Sequence, residues 1–138
     1  MIYAAFCGTG KTYILENFEG VVEFECWKYD NEYFPNNYVN DIKSKIYDSD
    51  CILISTNPVG LKELNRQGIK VTLVYPRIES KQEYLRRYIY RGSSDDFINM
   101  LDKEWENWLI ELQLLDFINH IILEKGQYLS DIIYLCKK

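Results

Sequence analysis

The chain has 138 residues, 47% of them hydrophobic and 27% charged, with a formal net charge of −5. This size and balance fit one domain over residues 1–138 that buries a core without disulfides or metals. The acidic balance argues against a long nucleic acid as ligand, because no broad basic surface can be assembled. Cys7, Cys26, Cys51 and Cys136 lack C-x-x-C spacing and accompany a single histidine, which argues against a zinc site.

Ile2–Phe6 reads as a strand followed by a glycine-containing loop and a helix to about Phe18, which Gly20 ends. Val21–Phe24 is a second strand. Asn36 or Asn37 is placed to cap a helix to about Tyr47, with Tyr38, Val39, Ile42 and Ile46 as its apolar stripe. Cys51–Ile54 is a continuous apolar run, as in a strand buried on both faces. Asn57-Pro58 starts a helix carrying Leu61 and Leu64 and ended by Gly68. Val71–Tyr75 is a fourth strand, stopped by Pro76.

Ser80 is placed to cap a helix to about Arg91, ended by Gly92. Ser93 or Ser94 begins a long helix with Phe97, Leu101, Trp105, Trp108, Leu112 and Leu115 as its stripe. His120–Leu123 is a fifth strand, and its histidine reads as structural. A last helix is expected from about Leu129, with Leu129, Ile132, Ile133 and Cys136 inward. Cys51 and Cys136 both read as small buried hydrophobes, and reduced thiols fit a cytoplasmic location. No apolar run approaches the about 18 residues that span a membrane, and no basic leader with a hydrophobic stretch opens the chain, so no membrane partner is expected. Five strands alternating with helices predict an α/β fold around a parallel sheet, with ligands beyond the C-terminal strand ends.

Residues 5–12 read Ala-Phe-Cys-Gly-Thr-Gly-Lys-Thr between a strand and a helix. They fit G-x-x-x-x-G-K-[ST], with Ala5 at a first position where the pattern admits alanine. Glycines allow backbone N–H groups to converge on one point, and the helix start adds free donors and a positive dipole end. Cys7, Gly8, Thr9, Gly10, Lys11, Thr12 and Tyr13 are therefore the candidate nucleotide-binding residues, with Lys11 reaching phosphates and the Thr12 hydroxyl holding Mg²⁺.

Downstream, Lys81, Arg86, Arg87 and Arg91 stand against the single acid Glu83 in residues 81–91. Arg87 and Arg91 share a helix face, suited to the charge that develops in phosphoryl transfer. Glu23 and Glu25 share a strand face that either holds an acceptor, a proton or metal-bound water, or simply faces solvent. Trp27 is placed to stack on a base. Phe34-Pro35-Asn36-Asn37-Tyr38 either lines an acceptor pocket or fixes a helix start. No acid follows the third strand, where Ser55, Thr56 and Asn57 stand instead, and no N-K-x-D occurs. Both absences argue against a motor ATPase or a GTPase switch.

The chain resembles P-loop nucleotide kinases of the adenylate-kinase-like type, and more narrowly short nucleotide-kinase-like, ATP-binding proteins encoded by bacteriophages. The resemblance spans nearly the whole chain. It rests on residues 5–12, 34–38, Ile52–Thr56, Leu73–Pro76, Tyr84–Tyr88 with Arg91-Gly92, and Tyr128–Ile133. It implies a three-layer α/β/α P-loop NTPase fold with strand order 2-3-1-4-5 and a short lid-like segment at about 77–95. It further implies ATP with Mg²⁺ as donor and a nucleoside or deoxynucleoside monophosphate as acceptor. Lys11, Arg87 and Arg91 then carry catalysis, and Glu25, Trp27 and Tyr38 bind the acceptor. The partners expected are small nucleotides, with the chain a monomer or homodimer. The alternatives are a nucleotide-binding module with little catalysis, or a kinase for another hydroxyl.

Overall fold

In the computed structural model, which describes residues 1–138, five strands form one parallel sheet. They are β1 (Ile2–Ala5), β2 (Val21–Phe24), β3 (Cys51–Ile54), β4 (Thr72–Pro76) and β5 (Asn119–Leu123). Their spatial order is β2-β3-β1-β4-β5, with β1 central: Ala4 lies beside Ile54 on one side and Leu73 on the other. Strand identity follows from burial on both faces. Ala4, Ala5 and all four residues of β3 are buried, as expected of strands covered by helices above and below.

The helices are α1 (Lys11–Asn17), α2 (Asn36–Lys45), α3 (Pro58–Arg66), α4 (Lys81–Tyr90) and α5 (Asp95–Gln113). Alternation along the strands divides the core in two. On one face Ala4, Phe6, Ile54 and Tyr75 meet Tyr38 and Ile42 of α2, Leu61 and Leu64 of α3, Tyr84 and Tyr88 of α4, and Leu101, Trp105 and Leu109 of α5. On the other, a smaller cluster joins Ala5, Leu53 and Val74 to Ile14 of α1, Phe18 and the C-terminal Leu129 and Ile133. The segment at 77–95 is therefore anchored in the larger core through Tyr84 and Tyr88, which are 1% and 0% exposed. The α5 stripe also includes Leu109, which the sequence reading passed over. His120 is structural: its Nε2 donates to the Leu115 carbonyl at 2.6 Å, and Nδ1 pairs with the Tyr75 hydroxyl at 2.8 Å.

Several expectations need correction. No helix forms after β5. Residues Leu129–Asp131 make one 3₁₀ turn, after which backbone bonds tie the segment to α1 and its exit: Glu19 N–H donates to Cys136 O and Lys138 N–H to Asn17 O. Cys136 is consequently exposed, whereas Cys51 is buried. Asn36 and Asn37 lie inside α2; the cap position is Pro35, which follows a cis peptide bond and offers no capping side chain. Ser80 precedes α4 without a capping bond, whereas Ser94 caps α5 by accepting from Phe97 N–H. No helix is long and apolar enough to cross a membrane.

Candidate active site

Two of the connections between consecutive strands skip over a neighbouring strand. From β1 the chain crosses β3 to reach β2, and from β3 it crosses β1 to reach β4. Connections thus leave β1 and β3 in opposite directions, which opens a crevice at their C-terminal ends. A cleft of about 860 Å³ lies there. Segments following all five strands line it: Cys7, Gly8, Gly10, Lys11 and Thr12 after β1, Glu25 and Trp27 after β2, Ser55 and Thr56 after β3, Arg86, Arg87 and Arg91 after β4, and Gly126 and Tyr128 after β5. Glu23 from β2 itself and Glu83 from α4 complete the charged lining.

The loop between β1 and α1 has a polarised backbone. The Phe6 carbonyl accepts from Thr9 N–H at 3.3 Å and from Thr9 Oγ1 at 2.7 Å. The Cys7 carbonyl accepts from the Tyr88 hydroxyl at 2.8 Å, and the Gly8 carbonyl from Arg87 Nη1 at 2.9 Å. The Thr9 carbonyl accepts from Leu129 N–H at 2.8 Å and the Gly10 carbonyl from Ile14 N–H at 3.3 Å. In a trans peptide the N–H points opposite to the C=O, so holding the carbonyls of Phe6, Cys7 and Thr9 aims the N–H groups of Cys7, Gly8 and Gly10 the other way. Those three N–H groups meet no acceptor within the protein. The first-turn N–H groups of α1 follow them, as free donors at a helix start. Gly8 and Gly10 have φ of 85° and 101°, the left-handed conformation such a nest requires. At Gly8 a Cβ would also lie 2.7 Å from the Tyr88 ring, so only glycine fits.

Charge in the cleft is divided between walls. Lys11 lines it without a hydrogen bond or ion pair inside the protein, as does Arg86 on α4. Arg91 donates through Nε to Ser93 Oγ at 2.9 Å and lies 5.0 Å from the Tyr88 ring. Glu23 and Glu25 supply the opposite charge, and the Glu25 carboxylate accepts from the indole N–H of Trp27, which is 74% exposed. Burial raises the Glu23 carboxyl above the usual glutamate range, Lys11 opposes this, and Glu25 adds to it. Burial likewise pushes the Cys7 thiol up, against the lowering effect of Lys11 and Arg91.

Most of the candidate residues are brought together, but three are not. Thr9 is fully buried and serves to close the loop. The Tyr13 side chain does not line the cleft and packs edge-on against Phe18 at 6.2 Å, which leaves only its backbone N–H at the helix start. Tyr38 is 1% exposed, packs on Tyr29 and Phe34 and donates its hydroxyl to Phe24 O, so it belongs to the core and not to an acceptor pocket. The Phe34–Tyr38 turn accordingly fixes the start of α2. Of the three polar residues after β3, Ser55 and Thr56 line the cleft, whereas Asn57 does not and caps α3, its Oδ1 accepting from Val59 and Gly60 N–H. Sequence reasoning missed Glu83, Tyr90, Phe97, Gly126 and Tyr128 as lining residues. Gly126 and Tyr128 were discoverable, because they directly follow a parallel strand on the ligand-binding edge. No protein-family model matches the chain, and no curated protein matches it.

Proposed function

We propose that the chain is an ATP-binding P-loop kinase that transfers the γ-phosphoryl group of ATP to a nucleoside or deoxynucleoside monophosphate. One observation carries the reading: every carbonyl from Phe6 to Gly10 is bonded within the protein, while the N–H groups of Cys7, Gly8 and Gly10 and the start of α1 are left as donors beside Lys11. Such a concentration of N–H dipoles and one ammonium suits a phosphate chain. The cleft volume suits a nucleotide-sized ligand.

These residues fit ATP with Mg²⁺, which when bound supplies the phosphoryl group and its charge neutralisation. Within that reading Lys11 holds the phosphates as a point charge and Thr12 offers its hydroxyl to the metal. Arg91 and Arg86 retain donors for charge that develops during transfer. Glu23, Glu25 and Trp27 form the wall where an acceptor would be oriented, with the Trp27 ring as a stacking surface fixed by Glu25. Positioning and electrostatic stabilisation together are chemically sufficient, because phosphoryl transfer needs little covalent chemistry from the protein.

A second reading, a nucleotide-binding module with little catalysis, is favoured by two features. Three donor contacts of Arg87 are made inside the protein, and Ser55 Oγ at the end of β3 accepts from Cys26 N–H at 3.2 Å. The test has two arms. Calorimetry with Mg-ATP should give binding that Lys11→Ala weakens by about 1.5–3 kcal/mol, the range for a hydrogen bond to a charged group. Unchanged affinity would refute the phosphate-loop reading. Incubation with Mg-ATP and a panel of ribo- and deoxynucleoside monophosphates should then produce ADP and a diphosphate; tight ATP binding with no turnover would leave the binding module.

A further inference from the structure

We infer that Arg87 is a positioning residue for the loop at 6–10, a planar latch that holds the loop's pivot peptide, and not a group that touches the transferred phosphoryl. This rests on the reading of the loop as a phosphate site. Its guanidinium reaches two different loops at once. Nη1 donates to the Gly8 carbonyl at 2.9 Å and Nη2 to the Gln127 carbonyl at 3.0 Å. The plane lies between two rings, 4.3 Å from the Tyr84 centroid and 3.8 Å from that of Tyr128. Glu83 Oε2 stands 3.5 Å from Nη2, and Glu83 Oε1 accepts from Gly126 N–H at 2.7 Å. The side chain is only 11% exposed.

The place it holds is specific. The peptide between Gly8 and Thr9 separates the free donors at Gly8 and Gly10. Its carbonyl goes to Arg87 and its N–H to Phe6 O, so both ends of that peptide plane are fixed. If the carbonyl were released, nothing on the α4 side would set the plane, and Gly8, at a φ open to glycine, could rotate. The N–H groups on either side would then no longer converge. Two forked donors in one plane, stacked between rings, are geometry that arginine supplies and lysine does not. A simple charge requirement would be met by either residue.

The experiment compares wild type, Arg87→Met, Arg87→Lys and Arg87→Ala, with Lys81→Met as control. Lys81 lies on the same helix but pairs with Asp102 at 2.7 Å and does not line the cleft. Two readouts are taken: affinity for Mg-ATP and for inorganic tripolyphosphate by calorimetry, and the rate of Cys7 alkylation by mass spectrometry without ligand. Arg87→Met should lower affinity for both ligands by at least about tenfold, the size of one charge-assisted hydrogen bond. It should also speed Cys7 alkylation several-fold, roughly the factor expected when a held loop gains local opening. Arg87→Lys should not recover either property. Millimolar guanidinium should restore Arg87→Ala where ammonium does not, and Lys81→Met should behave as wild type. Recovery by lysine overturns the latch, as does wild-type affinity with an unchanged Cys7 rate. That second result is the one expected of a group that acts only on the transferred phosphoryl. Should wild type bind neither ligand, the phosphate-loop reading falls, and the Cys7 rates still decide whether Arg87 fixes the loop.

Discussion

The Tyr84 hydroxyl is a buried side-chain oxygen with no hydrogen-bond partner, although its ring is packed between Arg87 and Trp105. A buried hydroxyl without a partner carries the cost of desolvation and gains nothing in return. Replacing it by phenylalanine keeps the ring that stacks on the guanidinium and removes the orphan oxygen. Tyr84→Phe should therefore be neutral or stabilising by up to about 1 kcal/mol in chemical denaturation; a loss of more than that would mean the hydroxyl has a partner in solution. At this scale the sequence was informative where chemistry is local. Gly8, Gly10, Lys11 and Thr12 were legible because the conformation and charge they provide belong to one short loop. Thr9, Tyr13 and Tyr38 were not, because which side of a segment faces the core is settled by what packs on it. Arg87 shows the same limit, since its placement on a helix face was readable and the two carbonyls it bonds, from residues 8 and 127, were not.

Helix α3 is the element whose ends were most plainly written. Asn57 and Pro58 supply a capping side chain and a residue preset for a first turn, and Oδ1 of Asn57 accepts from Val59 N–H at 2.9 Å and Gly60 N–H at 3.3 Å. Asn57→Ala should cost about 1 kcal/mol by thermal or chemical denaturation, whereas Asn57→Asp or Asn57→Ser should lose little. An alanine variant as stable as wild type would show that Pro58 and the packing of Leu61 and Leu64 suffice to start the helix. The segment after β5 is the opposite case. Leu129, Ile132 and Ile133 have helical spacing, and Leu129 and Ile133 are indeed buried. Yet Leu129 N–H goes to Thr9 O, and the segment's later backbone groups bond Asn17 and Glu19. A turn followed by irregular chain buries the same apolar residues, so spacing alone could not separate it from a helix. What decides is that the segment's bonding partners lie in α1 and the preceding loop, far away in the chain.

For the molecule as a whole, alternation of strand and helix signals was enough for a parallel α/β sheet, whereas the order β2-β3-β1-β4-β5 came from the resemblance and is the order found. That order gathers cations from α1 and α4 and acids from the end of β2 into one cleft, within a chain of net charge −5. Glu23 carries the consequence. It sits half-buried near another carboxylate, so its ionised form is disfavoured in the folded protein, and its folded value lies above the ordinary 4.5. The sign follows from proton linkage: the folded state binds this proton more tightly than the unfolded chain does, so the group's contribution is fully present below 4.5 and is lost as pH rises through the raised folded value. Glutamine at this position never ionises. Glu23→Gln should therefore melt above wild type at pH 7–8, and the gap should shrink as the pH is lowered through the raised value and level off below the unfolded one. Paired melting curves across that range measure this directly. Lys11 opposes the shift, so the gap should be wider in a Lys11→Ala background. A gap that grows on acidification would mean that Glu23 is stabilised as a carboxylate by Lys11, with burial the lesser effect.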